Sequence, residues 1–130
     1  LRDGLPRAQE VECTTRISGL QVPNINDGHL VIEECRPTGG TGHLVADEEV
    51  WDAQKRLARE EGIFTEPAGA VALAGVLNAF EQGVIQKDAR IACLVTGLAF
   101  KDEESVDRMT ADASCPMIEL TTLQEEVSSA

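Results

Sequence analysis

Thr96 closes the apolar run Arg90-Ile91-Ala92-Cys93-Leu94-Val95, and Gly97 follows it directly. A hydroxyl at the carboxyl end of a buried strand stands where open α/β sheets bind small ligands. It can donate to, or accept from, a ring nitrogen or a carbonyl, and it can equally bond its own backbone. Glu66 precedes Pro67 in the stretch Glu61-Gly62-Ile63-Phe64-Thr65-Glu66-Pro67-Ala68-Gly69-Ala70. An acid at a helix N-terminus complements the dipole. A carboxylate between two apolar segments also suits a partly buried site with a perturbed pKa. Lys101 would be a nucleophile if desolvated, yet Asp102, Glu103 and Glu104 surround it and favour its charged form. The Gly39-Gly40 loop offers backbone N–H groups to an anion, or serves as a flexible connector.

The elements that would position these groups follow from pattern. Asp47, Glu48 and Glu49 suit the start of a helix, with Asp47 as its cap. Val50, Ala53, Leu57, Ala58 and Glu61 share one face of it, and Gly62 stops it. Pro67 fits the first turn of a second helix running to Gln82, ended by Gly83. That helix is apolar nearly all round, so it is expected to be covered on several sides. Residues 90–95 read as a strand buried on both faces, as in a parallel sheet. His43–Ala46 and Met117–Leu120 are further strand candidates, Cys13–Val22 reads as extended segments around Gly19, and Leu123–Val127 as a short helix. His29–Arg36 suits a short helix ending before Pro37. The expectation is one α/β domain over residues 1–130, helices packed on a small sheet, with 103–130 as a less regular tail.

Composition narrows the function classes. A net charge of −12 repels phosphate backbones and anionic lipid, which argues against nucleic-acid and membrane partners. No apolar run approaches the about 18 residues of a membrane helix, so a cytoplasmic protein is expected. Cys13, Cys35, Cys93 and Cys115 form no CxxC pair, so free thiols and no metal site are expected. The chain opens on Leu1, has 3% aromatic residues and no Tyr, which suggests a piece of a larger protein.

Several segments together resemble threonine synthase and its relatives, the fold type II pyridoxal phosphate (PLP) enzymes. They are Thr15–Pro23, the Gly39-Gly40 loop, Asp47-Glu48-Glu49, Leu57–Gly75 and Thr96-Gly97-Leu98-Ala99-Phe100-Lys101-Asp102. The likeness covers about residues 13–102. It implies the C-terminal part of the large domain of a tryptophan synthase beta-like fold. It also implies PLP as cofactor, with Thr96 and Gly97 as cofactor-binding residues and Glu66, Pro67 and Ala68 along the pocket wall. By this resemblance the Thr96 hydroxyl bonds the pyridine nitrogen and leaves it unprotonated. The implied activity of the intact protein is that of a carbon–oxygen lyase of threonine biosynthesis, converting O-phosphohomoserine to threonine and phosphate. A threonine or serine dehydratase, or a non-catalytic binding or regulatory module, is the alternative.

The family's Schiff-base lysine lies in a Ser-x-Lys-Asp block, followed by an Asn-rich substrate loop and a Gly-rich phosphate cup. None of these occurs here, and Lys101 is not that lysine. No catalytic residue is therefore expected within these 130 residues, and the chain alone is expected to be inactive and to bind PLP weakly at best. The intact enzyme would take an amino-acid substrate, and a homodimer is open.

Overall fold

The computed structural model describes residues 1–115 and 117–129, and these form five α-helices: α1 (Gly28–Cys35), α2 (Asp47–Glu61), α3 (Pro67–Glu81), α4 (Glu103–Thr110) and α5 (Leu120–Ser129). Short 3-10 turns occupy Ser18–Leu20, Arg36–Thr38 and Ala99–Lys101. The core is the seam between α2 and α3. Val50, Ala53 and Leu57 of one helix meet Ala70 and Ala74 of the other, and Ile17 from the preceding loop fills the end. Three alanines keep the two backbones close, so the larger side chains interdigitate beside them. Each of the larger buried side chains, Ile17, Val50 and Leu57, contributes about 2 kcal/mol through the water it excludes.

The helix ends explain where this pair starts and stops. Ala46 occupies the N-cap of α2 and has no side-chain oxygen; the Glu49 carboxylate turns back and accepts the Ala46 N–H at 2.5 Å. Asp47 is thus not the cap. It is the first helical residue, and its carboxylate accepts from the Thr15 hydroxyl and the Arg16 N–H, tying residues 15–17 to the helix. Gly62 ends α2 in the left-handed region at φ 68°, and the Ile63 N–H donates back to the Leu57 carbonyl at 2.9 Å. Five residues after Gly62, Pro67 starts α3 from an extended Glu66.

The expected small sheet is absent among the described residues. Residues 90–98 run without a backbone ladder, and Leu94 is 84% exposed with Ile91, Val95 and Leu98 also open to solvent. An apolar pattern records which surface a segment tends to bury, whereas a strand also requires a neighbour for its N–H and C=O groups. Residues 43–46 are likewise irregular, and Leu120 begins α5 rather than ending a strand. The expected helix at 123–127 lies within α5. The apolar α3 is covered on one side only: Ala70, Ala74 and Ala79 are buried, Val71, Leu73, Val76 and Leu77 half-buried, and Phe80 exposed. Within the stretch expected as a tail, α4 packs on α2 and buries Ser105 and Met109. No helix among the described residues is long and apolar enough to cross a membrane.

Candidate functional site

The turn between α2 and α3 and the turn after Thr96 lie against one another, and their contacts are mainly polar. The buried Thr65 hydroxyl donates to the Thr96 carbonyl at 2.7 Å, with the Gly97 carbonyl at 3.1 Å as a second acceptor. Across this junction Phe64 and Phe100 meet edge to face at 5.0 Å, the arrangement aromatic quadrupoles favour. Two glycines make the approach feasible. A Cβ on Gly69, in the first turn of α3, would sit 1.9 Å from the Thr96 carbonyl oxygen. A Cβ on Gly97 would sit 1.8 Å from Glu66 Oε1, and Gly97 also adopts φ 68°.

Glu66 is held in this contact. Its side chain is only 15% exposed, and Lys101 Nζ lies 3.1 Å from each of the two carboxylate oxygens. Lys101 itself is 65% exposed. Thr96 is exposed, and its hydroxyl makes no side-chain hydrogen bond among the described residues; only its carbonyl is engaged. The junction therefore presents a neutral, unpaired hydroxyl on a backbone clamped from behind.

A buried amide stands behind the clamp. Gln54 of α2 is 1% exposed and donates to the Thr65 carbonyl at 2.9 Å and to the Ser105 hydroxyl at 3.1 Å. Ser105 passes the chain on to Asp102: its hydroxyl donates to the Asp102 carbonyl, and its N–H to the Asp102 carboxylate that caps α4. No buried side-chain polar atom lacks a partner among the described residues, so the network carries no uncompensated desolvation.

Of the five residues singled out in the sequence, Thr96, Gly97 and Glu66 come together. Pro67 is buried at the start of α3, and Ala68 faces the Ser18–Leu20 turn, where a Cβ on Gly19 would lie 2.7 Å from its own. The Gly39-Gly40 loop is no part of the junction; it follows α1, and its N–H groups bond the Arg36 and Cys35 carbonyls. Thr65, Gln54, Ser105 and the Lys101–Glu66 pair were missed. One signal was available: Gln54 falls four residues after Val50 and three before Leu57, on the face otherwise apolar. A broad apolar cleft lies elsewhere, between the N-terminal arm and α1, bordered by Leu5, Val11, Ile25 and Ile32. It shares no residue with the Thr96 junction.

Residues 1–97 match the family model described as pyridoxal-phosphate dependent enzyme, and the chain belongs to that family. Its similarity is to threonine synthases. It is 34% identical over 116 residues to threonine synthase of Methanocaldococcus jannaschii, covering 87% of this chain and 29% of that protein. Identity to threonine synthase of Methanosarcina acetivorans is 36% over 107 residues, 82% of this chain and 26% of the relative. Threonine synthase of Mycobacterium tuberculosis matches at 35% over 74 residues. The chain spans less than a third of the length of these curated relatives.

Pyridoxal phosphate is the cofactor of this family, and the donor set at the junction suits one edge of it. An exposed hydroxyl without an internal partner can donate to a pyridine nitrogen, where a carboxylate would instead hold a pyridinium.

Proposed function

We propose that this segment forms one edge of the cofactor site in a threonine synthase, which converts O-phosphohomoserine and water to threonine and inorganic phosphate, breaking the carbon–oxygen bond to phosphate and adding water to the carbon skeleton. The observation that carries this is the Thr96 hydroxyl, exposed and without a partner among the described residues, on a backbone pinned by Thr65. The similarity to threonine synthases over most of the chain supports the choice of reaction. Bound PLP supplies the electron sink that makes the substrate's carbon acids reactive. Thr96 donates its hydroxyl proton toward the ring nitrogen, which stays unprotonated. Gly97 removes the side chain that would separate Glu66 from this edge. Thr65 fixes the height of residues 96–97, so the hydroxyl is held without paying the full entropy of a mobile loop.

In this proposal the reactive lysine and the groups that hold phosphate come from outside these 130 residues, and the chain alone gives no turnover. The test uses the native full-length polypeptide loaded with PLP. Phosphate and threonine should appear in equal amounts from O-phosphohomoserine, and Thr96→Ala should lower kcat roughly tenfold, the scale of one good hydrogen bond. Deamination of threonine with no phosphate release from O-phosphohomoserine would reassign the protein to the dehydratases.

A further inference from the structure

Lys101 is neither the reactive amine nor a stray surface charge, because it is committed to one partner. Both Glu66 carboxylate oxygens lie 3.1 Å from its Nζ. That carboxylate occupies the space a side chain at position 97 would fill, one residue from Thr96. At 15% exposure it is poorly hydrated, so its charge acts on neighbours through protein more than through water. Left alone, an anion in this place would favour a proton on any basic nitrogen set against Thr96. The ammonium group cancels that effect. Its position is in turn fixed by the Ala99–Lys101 turn, which the Phe64–Phe100 contact and the Ala99 N–H to Phe64 carbonyl bond hold against the α2–α3 turn.

We propose that Lys101 is a positioning residue that pins and neutralises Glu66 beside Thr96, so that the Thr96 hydroxyl alone sets the protonation state of the cofactor's ring nitrogen. This rests on the reading that Thr96 faces that nitrogen. The pair explains why an acid stands next to a site that works with a neutral donor. It also explains why Gly97 is required at that spot, since any side chain there would displace the carboxylate from its partner.

The experiment loads the native full-length polypeptide with pyridoxal phosphate labelled with nitrogen-15 in the ring, and reads the ring resonance by NMR. Wild type should resonate in the unprotonated pyridine region. Lys101→Met, which keeps the aliphatic stem and removes the charge at an exposed position, should move the resonance upfield toward the pyridinium region. Lys101→Arg should stay at the wild-type position, and the double variant Lys101→Met with Glu66→Gln should return to it. An unmoved resonance in Lys101→Met overturns the proposal, and so does a double variant that remains shifted or an arginine variant that shifts as far as methionine. Thr96→Ala separates this from the underlying reading: if it leaves the resonance at the wild-type position, Thr96 does not touch the ring nitrogen and the reading itself falls.

Discussion

The seam between α2 and α3 and the segment 90–98 are both strongly apolar, yet the structure treats them in opposite ways. In the helical pair the interior backbone groups bond within the same element and only the end turns look outside it, so burying Val50, Leu57 and Ala70 costs little in hydrogen bonds. Residues 90–98 have no such internal supply. They are fixed at their carboxyl end, where Thr65 holds the carbonyls of residues 96 and 97, while Leu94 upstream stays in solvent. A helix brings its own hydrogen bonds to the core, whereas an extended segment depends on what lies beside it. The candidate site falls at the boundary between the two regimes.

Substitutions can break that contrast, beginning where the loss is greatest. Leu57→Ala should destabilise the chain by about 3 kcal/mol, because a buried seam residue leaves a cavity that two helices cannot close. Urea denaturation followed by helical circular dichroism measures it. Gly69→Ala should cost about 2 kcal/mol, since its Cβ meets both the Thr96 carbonyl and the buried Thr65 hydroxyl that holds it. Hydrogen exchange should show residues 96–101 released first, with the α2–α3 seam retained. Thr65→Val keeps shape and removes the clamp, for a loss of about 1 kcal/mol; Thr65→Ser should recover most of it in thermal melts.

A smaller effect is expected from acid. The Thr15 hydroxyl, helped by the Arg16 N–H and guanidinium and opposed by burial, holds the Asp47 carboxyl below its ordinary value. A carboxyl with a depressed folded pKa contributes stability in full above its unfolded value of about 3.9, and loses it as pH falls through the folded one. Asp47→Asn should therefore flatten the stability profile below pH ~4 and lower its neutral plateau, which denaturant midpoints across pH would reveal. Smallest of all, Leu94→Ser should change stability by less than about 0.5 kcal/mol, because the side chain is already exposed. A loss of several times that size would show that residues 90–95 are covered in solution and erase the contrast.

How far the sequence could be read follows the same division. The bounds of α2 and α3 were visible because Gly62, Pro67 and Gly83 act locally, through φ angles and a missing donor. Thr96, Gly97 and Glu66 stand out in the sequence through motif and an expected strand end, and the structure brings the three together although that strand does not form among the described residues. The strand expected at 90–95 does not form among the described residues, since an apolar run does not say whether a neighbouring strand is present. The Thr65–Thr96 and Lys101–Glu66 contacts span 31 and 35 residues, and no local pattern encodes separations of that kind. The Asp47 cap failed for a related reason: Thr15, 32 residues upstream, claimed the carboxylate that short-range rules assign to the helix end.

The Gln54 amide has a consequence for how the molecule opens. One side chain on α2 serves both the Thr65 carbonyl and the Ser105 hydroxyl, so α4 cannot lift away without leaving a buried donor short of an acceptor. Residues 63–66 and 102–106, far apart in sequence, should fluctuate as a single cooperative unit. Their amides would then share one opening free energy in native-state exchange, and Gln54→Leu would split them into two.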